Sequence, residues 1–326
     1  MSLSCHIRSD LRISAIVKHI PSLSMETLHV TRFLCVVSTL LFTASLTSSS
    51  YIWADDSSAN TDDANAEKYL LRYTLKEGER INYEVTHVAK TKTRIQGAEE
   101  ISQVHTVSDR HLTVTKSADA EIVFDHVIDA VEMTQQQGDE DEIRWDSRSE
   151  QTAPDPFVRV AERIGKRLST ITVNARGEEL KREDDSGTQA SLGMGSLTLS
   201  LPEHPIAIGE SWSVPREVKT RTEDGAVKVI KIRESFTLEK VKTGVATLSV
   251  RSQPLTPIRS ESIRAQVVQQ LSNGVIRFDI DNGRMLSKQL DWDESVIGFQ
   301  GPNSMMEYRA KLTEKLVDGV QRTAKR

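Results

Sequence analysis

From position 68 onward apolar and polar residues alternate, with turn residues at fairly regular intervals. A two-residue period predicts β-strands, because successive side chains on a strand point to opposite faces. Ile81, Tyr83, Val85, His87 and Ala89 share one face, while Glu84, Lys90, Lys92 and Arg94 lie on the other, and Gln96-Gly97 turns the chain. Ile122, Phe124, His126 and Ile128 repeat the pattern. Ile276, Phe278 and Ile280 alternate with Arg277, Asp279 and Asp281, and Asn282-Gly283 follows, a pair that tolerates the positive φ of a two-residue hairpin connection. The return strand carries Leu286, Leu290 and Trp292 on one parity, and Met306, Tyr308, Ala310 and Leu312 form a last strand. One apolar face per strand indicates antiparallel sheet. The fold class expected is therefore mainly β.

Two short helical patterns interrupt the strands. Phe157, Val160, Ala161 and Ile164 follow Pro156 and stop at Gly165; Ile263, Val267, Val268 and Leu271 follow Ser260 and stop at Asn273-Gly274. Each is followed by a hairpin, and each is preceded by a long hairpin that opens with Gly-Glu, at Gly78-Glu79 and Gly209-Glu210. This order of elements predicts two similar halves, residues 68–184 and 203–318, each a curved sheet or half-barrel with one embedded helix. The Gly/Ser-rich stretch 185–202 reads as their connection. Alternation breaks at Val229-Ile230, where an extra residue, a β-bulge, restores both stretches to one face.

The beginning of the chain has another character. Phe33–Leu46 (FLCVVSTLLFTASL) is apolar with Arg32 just before it; its fourteen residues suit a signal peptide better than a membrane span, which needs about 20. Residues 1–54 are expected to be a cleaved signal, with Met25 as an alternative start, followed by a polar, acidic leader over 55–67; residues 319–326 read as a frayed tail. Export to the periplasm or medium follows, with no membrane span left after cleavage. Both cysteines, Cys5 and Cys35, fall in the removed part, so a disulfide, a thiolate nucleophile and a cysteine metal site are all excluded from the mature chain. The 326 residues carry 42 Lys+Arg and 47 Asp+Glu, a net charge of −5. Removing Arg8, Arg12, Lys18, Arg32, Asp10 and Glu26 deepens it to −7. No basic excess is available to neutralise phosphates, which argues against a nucleic-acid partner.

The runs Leu71-RYTLKEGERINYEVTHVAKTKTRIQG, Met133-TQQQGDEDEIRWDSRS and Ile276-RFDIDNGRMLSKQLDWDES resemble a family of exported bacterial β-rich proteins of unknown function. That resemblance implies no activity. The order of long strands, embedded helix and final hairpin also looks like the curved half-barrels of bacterial lipoprotein carriers, which implies a fold and not a ligand.

Catalytic constellations are missing. No G-x-S-x-G occurs, and Gly193-Met194-Gly195-Ser196 lacks the lysine and spacing of a phosphate loop. Asp279, Asp281, Asp291 and Asp293 alternate outward, where general acid–base work finds no burial. His87, His105 and His111 are the residues a zinc site would draw on, yet HExxH and tight His-x-His spacing are absent, so core or rim histidines are the better reading. The acidic run Asp139–Glu142 lacks alternating calcium ligands and reads as a solvated turn. Three polar residues remain on otherwise apolar faces and are the candidate ligand contacts: His87, His126 and Glu234. A carboxylate at position 234 costs several kcal/mol unless it is paired or wet, and an arginine across the hairpin, such as Arg216, resolves it. The function expected is a non-enzymatic protein without cofactor or metal, binding an apolar or amphipathic ligand, such as a lipid, or an envelope protein in a concave face. The alternatives are a hydrolase with an unrecognised site and a purely structural envelope protein.

Overall fold

The computed structural model describes residues 66–118, 121–184 and 197–317. The expected signal, the acidic leader up to position 65, positions 185–196 of the connection, the string Gly193–Ser196 and the tail lie outside the described residues.

The first strands are β1 (Lys68–Tyr69), β2 (Arg80–Ile95), β3 (Ala98–Ala118), β4 (Glu121–Gln137) and β5 (Ile143–Asp146). A 3₁₀ turn at Asp155–Phe157 leads into α1 (Val158–Ala161), then β6 (Arg167–Val173) and β7 (Glu179–Asp184). Beyond position 197 come β8 (Ile206–Ala207), β9 (Ser211–Arg221), β10 (Val227–Lys242) and β11 (Val245–Pro254). Helix α2 (Glu261–Val267) runs into a 3₁₀ turn at Val268–Gln270, and β12 (Asn273–Asp279), β13 (Arg284–Ile297) and β14 (Ser304–Val317) complete the fold. The protein is mainly β, as its alternation requires. Eleven strands form one open sheet in the order β7-β6-β4-β3-β2-β14-β13-β12-β11-β10-β9, with β5 beside β4, while β1 and β8 make a separate two-stranded pair. Every pairing between the described strands is antiparallel.

The sheet is strongly curved, and two hydrogen bonds show it. The Tyr73 amide donates to the Ala175 carbonyl in the β6–β7 turn (2.8 Å), and the adjacent Thr74 amide donates to the Gly283 carbonyl in the β12–β13 turn (3.1 Å). Those turns stand six strands apart, roughly 29 Å on a flat sheet at about 4.8 Å per strand. Successive residues reach both because the sheet curls around them.

What they cross is the apolar face. Leu71, Tyr73 and Leu75 are buried with Tyr83, Phe124, Ile171, Leu248 and Phe278 in one cluster, and Tyr73 meets Phe278 edge to face at 5.3 Å. Leu197, Leu199 and Leu201 fill the rest: the Leu199 amide donates to the Tyr73 hydroxyl (2.9 Å), and Ser200 accepts from the Trp212 indole (2.8 Å). Gly177 permits this closure, since a Cβ there would lie 2.4 Å from both the Leu199 carbonyl oxygen and the Tyr73 ring. The end of the Gly/Ser-rich stretch is thus core. A buried ion cluster sits in the same face: Glu314 binds Arg110 and, at 2.8 Å, Lys288. Burial raises the Glu314 pKa, but the two cations outweigh it and hold the carboxyl below the usual range.

Four local expectations need correction. The β9–β10 register runs unbroken through Val229 and Ile230, so no bulge lies there; Val227 and Val229 face solvent at 57% and 42% exposure. β-Branched residues suit a pleated strand on either face. Bulges occur elsewhere: one after Ile128 turns Val131 and Met133 inward, and one at Leu286 puts Met285, not Leu286, in line with Phe278. The turn after β12 is four residues long, Ile280–Gly283, because that bulge moves the pairing to Asp279–Arg284, and only Gly283 has positive φ (57°). Asn273-Gly274 opens β12 and does not end the helix, which is over by Leu271. Gly274 is required there for another reason: a Cβ would lie 2.0 Å from the Gln289 carbonyl of the neighbouring strand.

Candidate functional site

Strand β12 is short. Its first residue, Asn273, pairs with Arg251 and Asp291, beyond which β11 and β13 continue without a strand between them. The chain from Leu255 to Ser272 occupies this gap as a loop, α2 and the 3₁₀ turn; Pro257, just past the end of β11, has no amide to continue a ladder. Ser260 caps α2, its hydroxyl accepting from the Ile263 amide (3.4 Å).

Both sides of α2 are fixed. Ile263 and Val267 bury against Val218, Ile230 and Ile232, and Val268 buries against Val296 and Met306. The Gln266 amide acts as a short neighbouring strand for the sheet's edge: Oε1 accepts from the Arg221 amide (2.9 Å) and Nε2 donates to its carbonyl (2.8 Å). One turn on, Arg216 donates to Gln270 Oε1 (2.9 Å) and to its carbonyl (2.7 Å), and its Nε lies 3.2 Å from Glu234. The ion pair anticipated for Glu234 is therefore formed, and it holds the arginine that fastens the end of the helical segment, where a cation also suits the helix dipole.

Between α2, the 254–258 loop and β13 lies a cleft of about 350 Å³. Leu255, Ile258, Val267, Val268 and Leu271 make its apolar walls, and Thr256, Arg264, Glu294 and Ser295 contribute its polar atoms. Glu294 continues the inward parity of Leu290 and Trp292. Its carboxyl pKa is raised, first by burial and then by the neighbouring Asp293 charge, and among the described residues it has neither an ion pair nor a hydrogen bond to its carboxylate. Arg264, in contrast, is held by Glu261 at 3.0 Å. A mostly apolar hollow with few polar groups and one perturbed carboxyl is the usual form of a small-molecule site.

The residues singled out from the sequence do not converge. His87 pairs across strands with Thr106 and Leu312, half-buried, and burial lowers its pKa. Glu234 lies five strands away, roughly 24 Å along the sheet. His126 belongs to the cross-strand row of Leu112 and Ile81, six residues or about 20 Å along β2 from His87. It is 3% exposed, and its pKa is lowered to about 3, chiefly by burial and then by the Arg110 and Arg182 charges, with Glu314 opposing. His105 faces away from His87, and His111 donates from Nδ1 to Asp129 (2.7 Å) on that opposite face. Asp291 and Asp293 point outward toward Lys311 and Arg309. Glu294 is the residue the sequence reading missed, although its parity with Trp292 and Val296 was the available signal.

No family model matches the chain, and no curated protein matches it. Among solved structures it is similar to one described as lipid–protein interactions in lipovitellin, with a TM-score of 0.43 and 12% identity, over 77% of this chain and 27% of that one. The chain thus spans little more than a quarter of that protein chain. Among the described residues no helix is long and apolar enough to cross a membrane.

Proposed function

We propose that this is an exported, non-enzymatic binding protein that takes the apolar part of a small amphipathic molecule into the cleft between α2, the 254–258 loop and β13. The cleft itself carries the reading: apolar walls around about 350 Å³ with a few polar atoms among them, the small end of the range of roughly 300–1,000 Å³ typical of ligand pockets. The apolar run Phe33–Leu46 supports export. The meanders β2–β7 and β9–β13, each with a helix after its long strands, support an origin by duplication.

A chain-length series of alkan-1-ols tests the binding. Each buried CH₂ contributes about 0.8 kcal/mol, so decanol should bind roughly tenfold more tightly than octanol. Leu271→Asp should abolish binding without unfolding the protein. Affinity that is independent of chain length, or unchanged in that variant, overturns the reading.

The filling of the curled sheet by Leu71–Leu75 and Leu197–Leu201 favours a second reading, a purely structural envelope protein. It predicts that no alkanol binds at all.

A further inference from the structure

Resting on the binding reading above, we infer that the cleft selects an amphiphile with a cationic head, such as a long-chain primary ammonium, over the corresponding carboxylate or alcohol. The charge arrangement decides between these heads. Two ionisable side chains line the cleft, Glu294 and Arg264. Arg264 is engaged by Glu261, one helical turn before it, at 3.0 Å, so a carboxylate ligand must compete with an acid already in place. Glu294 has no such partner among the described residues. It stands on the inward face of β13 between Trp292 and Val296, paired across strands with the buried Tyr308.

Its neighbour Asp293 points outward and is bound by Arg309 at 3.0 Å, so no cation on that side is left over for Glu294. Burial and Asp293 both raise the Glu294 pKa, which is the mark of a carboxylate whose charge nothing nearby compensates. A protonated amine entering with its alkyl chain along Leu255, Ile258 and Leu271 brings the missing cation to Glu294 and forms a charge-assisted hydrogen bond. A carboxylate in the same place meets the like charge of Glu294, and an alcohol gains only a neutral hydrogen bond.

The experiment compares decylamine, decanol and decanoate on the full chain at neutral pH by calorimetry, with Glu294→Gln as the variant. Decylamine should bind about tenfold or more tightly than decanol, the difference between a charged and a neutral hydrogen bond, and decanoate should bind most weakly. Glu294→Gln should bring decylamine to within about twofold of decanol, both measured on the variant. If decanol binds and decylamine binds no better, or decanoate binds best, the head-group inference falls while the cleft reading stands. If the variant keeps the preference for the amine, Glu294 is not what recognises it, and the inference is overturned without any use of the variant's stability. If none of the three binds, both fall together.

Discussion

Lowering the pH from 7 to 5 should destabilise the protein through His126, by an amount that follows from its burial. The imidazole is 3% exposed, its Nε2 has no hydrogen-bond partner among the described residues, and Arg110 stands near enough to disfavour a second cation. The folded pKa is about 3, against about 6.5 in an unfolded chain. Between those values the unfolded state binds a proton that the native state does not, so stability is lost as pH falls below about 6.5, at up to roughly 1.4 kcal/mol per pH unit. From pH 7 to pH 5 this comes to about 2 kcal/mol. The carboxylates, His87 and the other histidines act equally in a protein differing only at position 126. Urea unfolding of the wild type and of His126→Phe at both pH values isolates the contribution: the wild type should lose about 2 kcal/mol more than the variant. The imidazole resonances of His126 should not titrate between pH 5 and 8. A pH dependence that is the same in both proteins, or a His126 resonance titrating near neutrality, refutes the reasoning.

Two other substitutions probe the packed face. Glu314→Gln removes the carboxylate shared by Arg110 and Lys288, side chains 1% and 10% exposed, and should cost about 3–5 kcal/mol in urea unfolding, since the charges stay buried without it. A cost below about 1 kcal/mol would mean that water reaches them. Gly177→Ala places a methyl against the Leu199 carbonyl at a position with φ of 76°; a loss of more than about 2 kcal/mol is expected, together with faster hydrogen exchange at the Leu199 amide. Exchange that stays slow there would show that residues 197–201 hold their place without Gly177.

Much of this molecule was legible because strand alternation is a local property. Ile81, Tyr83, Val85, Phe124, Ile276 and Phe278 face inward as their parity requires, Gln96-Gly97 makes the turn that sets His87 opposite Thr106, and Ser260 caps its helix. The pairing of Glu234 with Arg216 was equally readable, since an acid on an apolar face needs a cation within reach across one hairpin. Only the tertiary structure decided the rest. Bulges at Asp129 and Leu286 arise where neighbouring strands demand an extra residue, and an extra residue changes parity without changing composition. Leu71, Tyr73 and Leu75, like Leu197, Leu199 and Leu201, alternate as strand residues do yet belong to no strand; their burial comes from the curl of strands far away in sequence, which the period does not show. Glu294 looked like one more charged residue in a polar run, and it became part of a site only because β12 stops short and α2 lies across the gap. A sequence specifies periods and turns through neighbouring residues, whereas a cleft depends on how distant elements fail to meet.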